Sequence, residues 1–416
     1  MKKTLNNNIF FVKNSDFHTL QIKVIFPFYD KEENIANLIL LPAMVSFMNQ
    51  EYDTEEKFQK NRQKNYILST GCSKSILGTN VFFSYSMNIP DVDALGFNHL
   101  DKQFEFFEKF IYHPKVINNG FDEFQLDREK KDLKTRIANN LKTLRGYSGI
   151  RFVEEYDTEG LLSRGIHNHM NLIDEMTPES LYNFYKENIY NNKPIVFVFG
   201  NFNEDEMTSL INKYLIKSTG EISYELDLNH FLEPRDEVHI VNEKGHFKDS
   251  SLSLAYKVKN MTEDDFAYLG MVSGLLSSLS SRLLQKKLRD EHELIYSSSS
   301  SIALRFGILE INSYINKNNK DLVIEKIHEV MSSLKDEKYI EEFINNLIDR
   351  NRISLIQLKD NKYGMFDEAI CKTLGLDMTG EEKYNILKNI KPKDISDFID
   401  RLVLDTIYFV EEGENE

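Results

Sequence analysis

Residues 271–296, MVSGLLSSLSSRLLQKKLRDEHELIY, hold a helix, a turn and the start of a strand around which the second half of the chain is organised. Apolar residues recur there at helical spacing and predict one buried helical face. These residues are Met271, Leu275, Leu279 and Leu283. Ser280 and Ser281 interrupt the pattern and predict the cap of a second short helix, which we expect to end near Glu293.

Two extended runs follow this helical stretch. Residues 294–305, LIYSSSSSIALR, and residues 306–315, FGILEINSYI, have the pattern of β-strands. Gly307 lies near their junction and predicts a bend there. The second half is therefore predicted to place two consecutive strands directly after its first helices.

The run SSRLLQKKLRDEHELIY, residues 280–296, resembles a signature in the C-terminal half of the pitrilysin/insulinase family of zinc peptidases. In that signature a Ser-Arg-Leu helix leads to an Arg and, seven residues later, to a Tyr, which here are Arg289 and Tyr296. The resemblance implies that this pair contacts the substrate backbone, because a guanidinium and a phenol both donate hydrogen bonds to a peptide carbonyl or a developing oxyanion. The alternative interpretation is a solvated Arg and a half-buried strand Tyr.

The composition is that of a globular protein with at least two domains. The chain has 416 residues, of which 41% are hydrophobic and 12% aromatic, and this length is too great for one ordinary core. Subtracting 66 acidic from 51 basic side chains gives a net charge of −15, which argues against nucleic-acid binding and against docking on an anionic membrane. We expect a cytoplasmic protein, because Cys72 and Cys371 stand alone and no apolar run reaches membrane-spanning length.

The two halves of the chain repeat one plan. Residues 19–45 predict a strand, a polar turn and a helix, and residues 251–276 predict the same three elements. Near the end of each half, Pro178 and Pro392 begin a helix that leads to a buried terminal strand. Each match alone is weak, but both occur in the same order, which favours an internal duplication.

We expect an α+β fold with two similar domains, each an antiparallel-rich sheet backed by helices on one side. The predicted boundaries are 1–220 for the N-terminal domain, 221–236 for a polar linker and 237–416 for the C-terminal domain. The family resemblance implies the same architecture, with the two domains forming half of a clamshell around a chamber.

The zinc motif carried by active members of this family is missing. The resemblance places that motif, H-x-x-E-H with two zinc ligands and a general base, at residues 40–44, which read LLPAM. Leu40 and Met44 then stand for the two His ligands and Ala43 for the Glu base. The distal Glu ligand falls on Arg136, in a charged stretch that predicts one long helix, and a cation there would repel zinc.

Elsewhere the sequence contains no recognisable metal or nucleophile site. Zinc sites commonly show His or Cys pairs three to five residues apart, whereas His167 and His169 are two apart and are interpreted as solvated loop residues. Pro42 also opposes a metal at 40–44, because a proline inside a helix costs about 3 kcal/mol and disturbs the spacing that lets two ligands share one ion.

The sequence thus predicts a peptidase shell that keeps substrate-contacting residues and lacks the metal site. It resembles the subunit without a zinc motif in bacterial paired insulinase-like proteins. That resemblance implies a non-catalytic partner of an active zinc peptidase subunit, with zinc in the partner, no cofactor in this chain and a peptide as substrate. A stand-alone peptide-binding or scaffold protein is the alternative. A zinc peptidase with relocated ligands, among them His167 or His169, is a third hypothesis.

Overall fold

The computed structural model describes residues 2–225, 228–278 and 282–413. Leu279, Ser280 and Ser281, predicted as part of a helical face and a cap, lie outside the described residues. The chain forms two compact units, and each is built around one five-stranded sheet. None of the described helices combines the length and the apolar composition that a membrane crossing needs.

The first unit contains strands β1 to β9. In chain order they are Lys2–Leu5, Ile9–Lys13, Thr19–Tyr29, Ser69–Leu77, Asn80–Pro90, Val116–Ile117, Gly120–Phe121, Ile195–Gly200 and Ile222–Glu225. Five of them form a sheet in the order β2-β8-β3-β5-β4, in which β2 and β8 are parallel and the other neighbours are antiparallel. The inward face of β3 is confirmed, since Leu20, Ile22, Val24 and Phe26 are all buried.

The second unit contains strands β10 to β14. In chain order they are His239–Lys244, Ser250–Val258, Ile295–Ala303, Ile308–Ile315 and Leu402–Glu411. Their order, β10-β14-β11-β13-β12, repeats the first sheet position by position, including one parallel pair at the same edge. This shared order confirms the predicted duplication and the antiparallel-rich sheets. Gly307 provides the predicted bend between β12 and β13, with a φ of +70°.

Helices α1 to α15 occupy the connections. In chain order they are Ile35–Val45, Glu55–Lys64, Val92–Leu95, Leu100–Tyr112, Glu123–Leu141, Leu144–Tyr156, Met170–Glu175, Pro178–Tyr185, Glu204–Tyr214, Phe266–Ser277, Lys320–Ser333, Glu337–Leu358, Lys362–Leu374, Gly380–Leu387 and Pro392–Ile399. Pro178 and Pro392 begin α8 and α15 as predicted, at a position where a missing N–H leaves no bond unmade. A π-helix, Gln285–Asp290, stands where the second short helix was expected.

Each sheet is covered on both faces, which corrects the expectation of helices on one side. In the second unit, Leu252 and Leu254 of β11 pack with α10 and other helices of the same half. The opposite face of that sheet packs against Phe152 and Tyr156 of α6, which comes from the first half of the sequence. One helix of the second half, α13, covers the first sheet in the same way.

The compact units therefore differ from the contiguous domains predicted at 1–220 and 237–416. The first unit comprises 1–136, 165–228 and 362–377, and the second comprises 137–164, 229–361 and 378–416. The physical reason is that one helix of each half packs on the sheet of the other half. No single boundary along the sequence can describe that arrangement.

The predicted linker, residues 221–236, also holds part of the first unit. Its strand β9 pairs antiparallel with β1. Tyr224 is buried, and its hydroxyl donates a hydrogen bond of 2.7 Å to the carbonyl oxygen of Leu374 in α13. A polar composition suggested a free connection here, but alternate residues of the stretch are apolar and face the sheet.

Candidate functional site

The positions predicted to replace the zinc ligands lie on α1 and are packed into the core. Leu40 is 2% exposed and Met44 is 1% exposed, while Ala43 is half-buried. Pro42 lies inside α1, and its carbonyl accepts a hydrogen bond from the hydroxyl of Ser46. Thioether and hydrocarbon groups in this setting offer none of the nitrogen, thiolate or carboxylate donors that zinc requires.

Helix α5, where the distal ligand was expected, reaches the end of α1 through a different residue. Gln125 Nε2 donates a hydrogen bond of 3.2 Å to the carbonyl oxygen of Ala43. Arg136 lies further along α5 and is exposed. The residues present therefore do not fit a zinc ion, because two positions are buried hydrocarbon and a third is a cation.

His167 lies in a short 3-10 helix, Ile166–Asn168, and His169 follows it before α7. Both are half-buried, which corrects the expectation of solvated residues, and His169 Nε2 is 3.4 Å from the Glu32 carboxylate. In the part of the chain that the structure describes, no three His, Cys, Asp or Glu side chains are grouped so that they could hold a metal ion. The hypothesis of relocated zinc ligands gains no support from these two residues.

Arg289 stands on the exposed side of the π-helix, whose inner side is anchored by two leucines. Leu284 and Leu288 are fully buried, whereas Arg289 is exposed. The helix ends through Glu293, whose φ of +54° reverses the chain and whose N–H donates to the carbonyl of Arg289 at 2.9 Å. This turn connects the π-helix to the start of β12 at Ile295. It agrees with the helix end predicted near Glu293.

Tyr296 is presented to solvent by a β-bulge at the start of β12. Ile295 pairs with Ile315, and Ser297 pairs with Tyr314, so Tyr296 is an extra residue with no partner in the ladder. Its side chain is 54% exposed. A bulge re-aims a side chain and is frequent beside binding sites. Both predicted substrate-contacting residues are thus accessible donors, held by buried neighbours.

The outer edge of β12 is closed by two side chains. The N–H of Ser300 donates a hydrogen bond of 2.7 Å to Ser277 Oγ of α10, and Gln285 Nε2 donates one of 2.9 Å to the carbonyl of Ser298. An edge strand with open N–H and C=O groups pairs readily with another strand. We call Ser277 and Gln285 the edge latch, because they occupy two of these groups.

Replacing both latch residues by alanine is expected to cause self-association, because β12 carries no charge or proline that would discourage edge pairing. Each lost hydrogen bond should also cost about 1 kcal/mol of stability. Sedimentation velocity over a range of protein concentrations measures the association. The matched control replaces an exposed Ser and an exposed Gln, Ser332→Ala with Gln357→Ala, and a latch variant as monodisperse as this control would contradict the prediction.

Cys72 and Cys371 form no disulfide bond with each other. Cys72 lies on β4, and burial raises the pKa of its thiol above the ordinary range. Cys371 lies on α13 and packs against the apolar cluster of the first unit. A thiol with a raised pKa is a poor nucleophile at neutral pH, which argues against a nucleophilic role for Cys72.

A buried charge cluster in the second unit was not found from the sequence. Lys257 and Asp405 are both fully buried, with Lys257 Nζ 3.2 Å from Asp405 Oδ1. Arg235 binds the same carboxylate through its guanidinium at 2.6 Å and its backbone N–H at 2.8 Å. Burial lowers the pKa of Lys257, an effect that Asp405 partly opposes. The sequence signal was a charged residue at an alternating strand position, which usually means exposure.

Comparison with known proteins adds an independent finding. Residues 175–349 match the peptidase M16 inactive domain. The chain is similar to the probable inactive metalloprotease YmfF of Bacillus subtilis strain 168, with 21% identity over 408 residues that cover 96% of this chain and 94% of YmfF.

Two solved structures share the fold. A conserved protein from Enterococcus faecalis V583 has a TM-score of 0.85 at 21% identity, and the match covers 100% of this chain and 99% of that one. The periplasmic protease PqqL from Escherichia coli has a TM-score of 0.66 at 16% identity, and the match covers 96% of this chain but 43% of PqqL. These likenesses agree with the duplicated two-sheet architecture.

Proposed function

We propose that this chain, which is an inactive insulinase-like member of the peptidase M16 family, serves as the non-catalytic subunit of a two-chain zinc peptidase that acts on peptides. The observation that carries the proposal is the contrast between two sets of residues. The positions of the two zinc ligands on α1, Leu40 and Met44, are buried apolar side chains, whereas Arg289 and Tyr296 are exposed hydrogen-bond donors. In this proposal the partner supplies zinc and the general base, and this chain supplies donors to the substrate backbone.

The placement of the two donors supports a role in contacting an extended peptide. Arg289 follows two buried leucines on the π-helix, and Tyr296 stands on a bulge beside the closed edge of β12. Both residues therefore have a backbone fixed by buried neighbours and an exposed side chain. Preorganised donors of this kind stabilise a carbonyl oxygen as it gains negative charge.

The greater length of PqqL supports the proposal of a second chain. This chain covers 43% of that protease, so the longer protein has room for two segments of this size. A partner of similar length bearing H-x-x-E-H would supply the second segment as a separate polypeptide. The net charge of −15 also fits a basic or neutral peptide better than an acidic one.

Mixing this chain with an H-x-x-E-H partner from the same cell is expected to create peptidase activity that neither chain shows alone. Arg289→Ala should lower kcat/KM of the mixture roughly 100-fold, as expected when one preorganised donor to a developing oxyanion is lost. Tyr296→Phe should lower it about 10-fold, the cost of roughly one hydrogen bond. Fluorogenic peptide cleavage measures activity, and gel filtration shows whether the complex stays intact.

Two exposed residues of the same types act as matched controls. Arg352→Ala and Tyr29→Phe change an exposed guanidinium and an exposed phenol elsewhere on the chain and should leave kcat/KM unchanged. Full activity in the Arg289 and Tyr296 variants would remove the substrate-contact role, and inactivity of every mixture would remove the two-chain peptidase itself.

The alternative function is a stand-alone peptide-binding or scaffold protein, and the same exposed donors favour it, since they can hold a peptide without metal. Titration of the isolated chain with the peptide distinguishes the two functions. Micromolar or tighter binding without a partner, lost in Arg289→Ala, would support the scaffold, whereas binding that appears only in the mixture would support the two-chain peptidase.

A further inference from the structure

We infer that each half of this chain is a binding partner for the other half through one exchanged helix, so that the halves remain a specific complex when the connection between them is cut. Helix α6 of the first half completes the second unit, and helix α13 of the second half completes the first unit. The inference is independent of the proposed function, because it depends only on packing inside each unit.

The two exchanged helices are equivalent elements of the internal repeat. In each half a long helix, α5 or α12, is followed by the exchanged helix and then by two short helices, the second beginning with proline. In both halves the strand that comes next is the last strand of the five-stranded sheet in chain order, β8 or β14. A reciprocal exchange of the same element is the arrangement of a swapped dimer whose two copies have become one chain.

Helix α13 fills an apolar surface of the first sheet. Phe366 packs against Phe199 of β8 with ring centroids 5.7 Å apart. Ile370 and Leu374 join the same buried cluster. Lys23 of β3 forms an ion pair of 3.1 Å with Asp367. Without this helix, the aromatic face of β8 would be open to water, and its exposure would oppose folding of the unit alone.

Helix α6 fills the corresponding surface of the second sheet with a more polar set of contacts. Phe152 stacks on Tyr408 of β14 at a centroid distance of 6.4 Å. The hydroxyl of Tyr156 donates a hydrogen bond of 2.5 Å to Glu310 on β13. The hydroxyl of Tyr147, at the start of the same helix, donates a hydrogen bond to the carboxylate of Glu243 on β10. Buried polar groups that lose such partners are costly, so this surface is specific for its helix.

The experiment uses the full chain with a protease recognition sequence inserted between Asp236 and Glu237, two exposed residues in a bend. The protein is folded first and then cleaved. The cut protein is expected to elute at the size of the intact 48.8 kDa chain. Separation of the fragments under native conditions would overturn the inference.

Helix variants test whether the exchanged helices hold the fragments. Phe366→Ala or Phe152→Ala should raise the dissociation constant of the cut protein by at least roughly 100-fold, since removing a buried aromatic ring costs several factors of ten in an equilibrium constant. Phe124→Ala, at an 81% exposed phenylalanine of α5, is the matched control and should change nothing. Cut variants that stay together as tightly as the cut natural sequence would overturn the inference.

A conservative variant covers the case in which the alanine variants do not fold. Phe366→Leu in the uncut chain should speed amide hydrogen exchange in β8 and β3 of the first unit, 160 or more residues away along the sequence. Exchange in β11 and β13 should change less. Faster exchange confined to the second unit would overturn the inference.

Discussion

Replacing Asp405 by alanine is expected to lower the free energy of unfolding by about 3 to 5 kcal/mol, the cost of leaving buried cations without their partner. The carboxylate accepts hydrogen bonds from the Arg235 guanidinium and N–H and from the Thr406 hydroxyl at 2.7 Å, and it lies beside Lys257. Removing it leaves the buried Lys257 ammonium and the partly buried Arg235 guanidinium without their shared partner. Urea unfolding followed by circular dichroism measures the loss.

Lys257→Met is the informative comparison for that prediction. Lys257 Nζ lies 3.2 Å from Asp405 Oδ1, and burial lowers the pKa of Lys257 by more than the attraction of this carboxylate raises it. Replacing an ammonium in such a setting with an apolar group of similar length is expected to change stability by less than about 1 kcal/mol, or to raise it. If both variants lost the same free energy of unfolding, the interaction between Lys257 and Asp405, and not the one between Arg235 and Asp405, would account for the stabilisation.

The pH dependence of stability provides a third readout of this cluster. The folded pKa of Lys257 lies below its ordinary value of 10.5. At pH values between the folded and the unfolded pKa of Lys257, the unfolded chain binds more protons than the folded chain. The free energy of unfolding therefore rises with pH in this window, and the contribution of Lys257 is least favourable below it. The Lys257→Met variant should lack this rise in urea unfolding measured at several pH values approaching 10.5.

Introducing the residues of the zinc motif H-x-x-E-H at positions 40–44 should destabilise the protein and should not create a zinc site. The triple variant Leu40→His, Ala43→Glu, Met44→His places polar groups at two positions that are 2% and 1% exposed. Lost packing and buried polar groups should together cost more than about 4 kcal/mol. Thermal unfolding and metal analysis of the purified protein are the measurements, with less than stoichiometric zinc expected.

Arg136→Glu tests whether the positive charge of Arg136 or the burial of residues 40 and 44 prevents zinc binding. This side chain is exposed, so the single variant should change stability by less than about 0.5 kcal/mol. Adding Arg136→Glu to the triple variant places His or Glu at all four positions predicted to correspond to the zinc motif and its distal ligand. Stoichiometric, tight zinc binding by the fourfold variant would contradict the conclusion that apolar packing has closed the site.

Much of the fold could be predicted from local patterns. The alternation in residues 19–29 and the prolines Pro178 and Pro392 predicted a buried strand and two helix starts, and the structure confirms each. The repeat was visible because both halves use the same local signals in the same order. Predicted boundaries at 1–220 and 237–416 describe the repeat but not the compact units, since packing between distant segments leaves no mark at the boundary.

The exposure of the predicted site residues could not be read from the sequence. Arg289 and Tyr296 were predicted from a motif, and the lack of zinc ligands from the residue types at 40–44. The bulge that exposes Tyr296 depends on pairing between β12 and β13, and a one-residue change in register leaves no trace in a serine-rich run. The edge latch likewise joins residues more than ten positions apart.

The sequence by itself indicated the duplication, the first strand and helix of each half, the helices that begin at Pro178 and Pro392, and the apolar residue types at 40–44. These are properties of residue type and spacing, which act over one or two turns of chain. Only the tertiary structure decided that Lys257, which alternates with the apolar residues of β11, is buried beside Asp405. Burial depends on which distant helix covers a surface, and the helix that covers this sheet lies about 100 residues upstream in the other half.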